Sequence, residues 1–98
     1  MRPVFPNTAF QTVVAATPAK VGDTGVRVLK RALLYAAANT VCEFKNGATD
    51  TGTVLLTIGA LAGECFDVDL TDVGGISFST AMFCKPVGVG AIVYVWYE

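Results

Sequence analysis

Histidine is absent from the 98 residues, which removes the commonest general base and metal ligand together. Charge is scarce as well. Lys, Arg, Asp and Glu make up 15% of the chain, where globular proteins run to about 25%. With 7 basic residues against 8 acidic ones the net charge is −1, so there is no electrostatic footprint for nucleic acid or anionic lipid. The closest basic group, Arg27, Lys30 and Arg31, is too small to follow a phosphate backbone. No uninterrupted apolar run is long enough to span a bilayer as a helix. The longest charge-free stretch, Pro3–Ala19, is broken by Pro3, Pro6, Pro18, Asn7 and Gln11. Its apolar centre, Val13–Ala16, is too short and too polar for a signal peptide. Cysteine is limited to Cys42, Cys65 and Cys84, with no CxxC spacing. That pattern is expected of buried thiols in a reducing compartment, and the chain is expected to be made and kept in the cytoplasm.

Apolar matter is what the chain has in excess. With glycine included it amounts to about 60% of the residues, against about 45–50% in ordinary globular chains. One domain of this size buries only about 64% of its unfolded surface. More grease is present than the body can hide, which favours an assembled subunit, a homo-oligomer, over a lone monomer.

The chemistry-bearing groupings are thin. Asp67, Asp69 and Asp72 are close in sequence, but two of them fit the solvent side of an alternating strand, and no bidentate glutamate follows at calcium-loop spacing. Cys84 and Lys85 are adjacent and so point to opposite faces of a strand. The glycines at 74–75 and 88–90 open no helix and make no phosphate cradle. The expectation is a protein with no enzymatic activity, no cofactor and no metal. Tyr94, Trp96 and Tyr97 could stack on a sugar, which leaves a carbohydrate-binding module as an alternative, though no polar cluster stands beside them.

Valine and threonine dominate after residue 10, as suits pleated, half-buried strands. Strands are expected over 10–15, 40–45, 53–58, 65–70, 76–79, 81–85 and 91–97, with Asn46-Gly47 as a turn needing positive φ. In Cys65–Leu70 the alternation sets Phe66, Val68 and Leu70 inward. Residues 26–38 fit a helix and a strand equally well. The fold class is therefore all-β: a single antiparallel β-sandwich, jelly-roll or Ig-like, of seven or eight short strands. Residues 10–98 form this domain. Residues 1–9 form an extended N-terminal arm, barred from central strands by its prolines, with Val4, Phe5 and Pro6 as candidate contacts on a neighbour. The last strand is apolar on both sides. One side must face the core and the other a companion, with Val93, Val95 and Tyr97 as the candidate interface.

Several ordered features belong together: Ala16-Thr17-Pro18 before a long apolar segment; Val41-Cys42-Glu43-Phe44-Lys45-Asn46-Gly47; Thr51-Gly52 leading to Leu55-Leu56; Gly63-Glu64 before a strand closing in Asp69-Leu70; and Gly75-Ile76-Ser77-Phe78-Ser79-Thr80 before two final strands. In these the chain, from about Val14 to Tyr97, resembles the small β-sandwich virion proteins of tailed bacteriophages. Ala81 departs from the glycine expected after Ser-Thr. The resemblance implies an antiparallel sandwich with residues 26–38 as strand. It also implies a non-enzymatic virion protein assembled in the host cytoplasm. A capsid decoration or cement protein is expected, with the major capsid protein and copies of itself as partners; a tail, neck or connector subunit is the alternative.

Overall fold

A computed structural model of the chain describes residues 8–98. Val4, Phe5 and Pro6 of the expected arm lie outside the described residues. The chain is all-β, with two antiparallel sheets packed face to face. In order the strands are β1 (Ala9–Val14), β2 (Ala19–Val21), β3 (Arg27–Tyr35), β4 (Thr40–Asn46), β5 (Thr53–Ala60), β6 (Cys65–Asp69), β7 (Ile76–Phe78), β8 (Met82–Val87) and β9 (Ile92–Tyr97). A 3-10 turn at Thr71–Val73 joins β6 to β7.

The first sheet runs β1-β9-β3-β6, with β7 continuing the β6 side along β3; the second runs β2-β8-β4-β5. The pairings are nested. β4 pairs with β5, β3 with β6, β2 with β8 and β1 with β9, and successive pairs fall in alternate sheets. This is one long hairpin wound on itself, the jelly-roll arrangement, and it decides between the two sandwich topologies expected.

The core lies between the sheets. Leu29, Ala32 and Leu34 of β3, Cys42 and Phe44 of β4, Phe78 of β7, Met82 and Cys84 of β8, and Val93 and Val95 of β9 are all fully buried. Residues 26–38 are strand over Arg27–Tyr35, and a β-bulge explains their ambiguity. Leu29 pairs with Tyr97 and Arg31 with Trp96, so Lys30 is an extra residue that shifts the alternation by one. The inward side chains become Leu29, Ala32 and Leu34, a spacing that no period of two can follow. A second bulge sets Val54 and Leu55 against the single Lys45. Both side chains stand outward, each 41% exposed.

Several local expectations need correction. β2 was not foreseen; it is three residues long, between Pro18 and Gly22. β5 does not stop before Gly59 but continues to Ala60. β8 passes through Pro86, which is tolerated because β2 pairs only as far as Cys84 and leaves that edge open. Gly47 does not take positive φ. Glycine is needed in this loop for close approach instead: a Cβ at Gly52 would lie 2.5 Å from the carbonyl oxygen of Asn46.

The thiols divide two and one. Cys42 and Cys84 are buried with their Sγ atoms 3.5 Å apart, whereas Cys65 is exposed on β6, against the expectation of three buried thiols. Contact with Cys42, followed by burial, pushes the Cys84 thiol far up and keeps it protonated. In the native chain one thiol should react promptly with a water-soluble disulfide reagent, and Cys65→Ser should abolish that reaction. Prompt reaction of the other two without unfolding would contradict the packing.

Candidate interaction surface

β9 divides its side chains cleanly. Val93 and Val95 face the second sheet and are 0% exposed, so they belong to the core and cannot meet a partner. This corrects the expected interface. The physical reason lies in shape and polarity: compact β-branched valines fill the space between two sheets, while the Tyr hydroxyl and Trp N–H keep access to water by facing out. Tyr97, on the same side as the valines, is half-buried against the core. Its ring sits beside Gly22, where a Cβ would come within 2.7 Å of Cε2.

The opposite side of the first sheet is the outward apolar face. Strand register builds it in rows. Phe10, Trp96 and Arg31 lie side by side; Thr12, Tyr94 and Leu33 form the next row; Val14, Ile92 and Tyr35 form the third. Phe10 is 53% exposed and Tyr35 41%. The Phe10 ring lies 6.2 Å from Tyr94 at 14° and 5.1 Å from Trp96 at 56°, so the three make one aromatic cluster. Arg31 lies over the Trp96 ring, 5.0 Å from its centroid. There it also donates from Nε and Nη2 to the two carboxylate oxygens of Asp67, at 3.0 and 2.6 Å. That bidentate pair draws the Asp67 carboxyl below its ordinary value and raises Arg31. Asp69 is also lowered, by hydrogen bonds from the Thr71 hydroxyl and backbone N–H. The face is thus a greasy aromatic patch with one fixed charge pair along its β6 margin.

As a sugar platform the arrangement is poor. Tyr97 faces the opposite way from Tyr94 and Trp96, and one face of Trp96 is covered by Arg31. As a protein contact it is well composed, since aromatic residues and arginine are the usual anchors of interfaces. Phe10 and Arg31 were missed in the sequence reading. Phe10, Thr12 and Val14 alternate visibly, but that Phe10 lies opposite Trp96 depends on a pairing between the two ends of the chain.

The outer face of the second sheet is more charged. Lys45 donates to an Asp50 carboxylate oxygen at 2.6 Å and Lys85 to the other at 2.8 Å, while Glu43 lies 3.6 Å from Lys45. These contacts hold the β4–β5 loop down and lower the Asp50 carboxyl, Lys45 acting more strongly than Lys85. Nearby, Ala15, Ala16, Pro18, Pro86, Val87 and Val89 line a shallow apolar groove of about 450 Å³. Among the described residues no three cysteine or carboxylate side chains converge on a metal-sized site. Asp67 and Asp69 are engaged as above. Comparison with family models, with curated proteins and with solved structures gives no match for this chain.

Proposed function

We propose that the chain is a structural protein of a tailed-bacteriophage virion, a capsid decoration or cement subunit. In this reading it packs against the major capsid protein and against copies of itself, and carries no enzymatic activity. The observation that carries the reading is the outward aromatic face of the first sheet, Phe10, Tyr94 and Trp96 with Ile92 and Tyr35, which no other described segment covers. The sparse charge and excess apolar content support it, as does the resemblance of its ordered turn and core features to small phage virion proteins. The jelly-roll occurs in viral capsid and lectin domains alike and does not by itself choose a role. Contact on the scale of a standard interface, about 800 Å² per partner, would anchor each copy. Repetition over a lattice would then stiffen the shell.

Copy number tests the reading. Phage particles purified to constant density should contain the chain in a fixed ratio to the coat protein, on the order of hundreds of copies as repetition over a closed shell requires. Six or twelve copies would transfer it to the tail, neck or connector. Absence from the particle would overturn the proposal, and calorimetric binding of the isolated chain to a host polysaccharide would favour a sugar-binding module instead.

A further inference from the structure

A sandwich has four sheet edges, and three of these carry ordinary protection against pairing with another chain. β1 is fastened to β2 through Gln11, whose Nε2 donates to the Lys20 carbonyl at 3.0 Å and whose Oε1 accepts from the Gly22 N–H at 2.9 Å. β2 is three residues long, carries Lys20 and follows Pro18. β6 carries Asp67 and Asp69. β5 differs. Its eight residues, Thr53–Ala60, include neither charge nor proline. It pairs with β4 along one side, and no other described residue bonds to its backbone on the far side. The bulge at Val54 and Leu55 interrupts the register in its first half and leaves Leu56–Ala60 in regular register with β4.

A second observation comes from the same margin. Phe66 pairs with the fully buried Leu34 and so faces inward, yet it is 42% exposed. Beyond β5 and β6 no described segment closes the sandwich over it.

We propose that β5 pairs edge to edge, antiparallel, with β5 of a second copy of this chain about a two-fold axis perpendicular to the sheet. Such an axis keeps the inner faces of both copies on one side. The two four-stranded sheets become one continuous sheet of eight strands, and the two β6 margins approach each other across the axis. The Phe66 rings of the two copies then close the gap that each leaves open alone. A second copy suits this edge because antiparallel pairing of identical strands matches outward residues with outward residues, and neither strand brings a charge to repel the other. The inference deepens the assembly reading and rests on its premise that the chain works beside its own copies. The self-contact is read in solution and the particle contact on particles, so the two fail separately.

Sedimentation equilibrium of the full chain over a wide concentration range tests it. The wild type should be a reversible dimer. Thr57→Lys places a charge on the exposed edge opposite Glu43 of β4, which a single copy tolerates. At concentrations low enough that both proteins are monomeric it should leave the melting temperature unchanged, while it weakens the dimer about tenfold or more. Phe10→Ala should leave the dimer intact. In the unmodified chain, β5 amides should exchange hydrogen more slowly at dimer-forming concentrations, a readout that does not depend on any variant folding. A wild type that stays monomeric, a dimer insensitive to Thr57→Lys, a dimer lost on Phe10→Ala, or β5 exchange indifferent to concentration would each overturn the proposal.

Discussion

Phe44→Ala is expected to cost about 3–5 kcal/mol, the usual loss when a buried phenylalanine leaves a cavity that its neighbours cannot fill. Phe44 is fully buried at the middle of β4, opposite Leu56 on one side and Cys84 on the other. Both neighbouring strands are fixed by their own ladders, so collapse into the vacancy is limited. A domain of this size has about 5–15 kcal/mol of stability in all. The variant should therefore be only marginally folded, with its melting temperature lowered by about 15 °C or more. Val54→Ala, at a position 41% exposed on the β5 bulge, should change stability by no more than about 0.5 kcal/mol. Chemical denaturation of the three proteins compares them directly. A loss at Phe44 no larger than at Val54 would mean that the space between the sheets is not the organising core.

The second large effect concerns attachment. Phe10→Ala removes the most exposed ring of the aromatic cluster, 53% accessible in the single chain, so folding should be little affected. On the particle the same ring would be desolvated against a neighbour. Anchors of this kind cost about 2 kcal/mol or more when truncated, equivalent to roughly a 30-fold weakening. Stripped particles titrated with wild type and variant should show that difference in occupancy. Val93→Ala makes the informative contrast, because its side chain is wholly internal: it should lower stability and leave the affinity of the folded fraction alone. Equal binding by Phe10→Ala and wild type would remove the aromatic face from the contact.

Much of the architecture was legible because strands half-buried between two sheets write their alternation into the sequence. β4 and β9 show this plainly, and the antiparallel sandwich followed from it. Legibility fails wherever an extra residue breaks the alternation. Lys30 shifts the phase of β3, so that Leu29 and Ala32 sit three apart and imitate a helix. Leu55 does the same to β5. Pro86 read as an end because the sequence does not say that the neighbouring strand stops two residues earlier.

The surface was harder to read than the fold. That β9 has two apolar sides was evident, but the choice between them went to the valines. Side-chain polarity pointed the other way: the tyrosine hydroxyl and indole N–H of Tyr94 and Trp96 need water or a partner, and valine needs neither. Arg31, Phe10 and Asp67 come from three different strands. Their meeting around Trp96 is a product of register, and a single strand's pattern holds no trace of it. Cys65 is different: the alternation of β6 already turns it outward with Asp67 and Asp69, opposite the exposed Tyr35, so its exposure was legible in the strand's own pattern.

The account stands or falls on whether the outward side of the β1-β9-β3-β6 sheet is closed by a companion. Hydroxyl-radical footprinting, read by mass spectrometry on the free chain and on the assembled particle, measures this side chain by side chain. Oxidation of Phe10, Tyr94 and Trp96 should fall severalfold on assembly, while Val89, exposed on the β8–β9 loop at the opposite end of β9 from Trp96, keeps its reactivity. Equal oxidation of the three aromatic residues in both states would contradict the account.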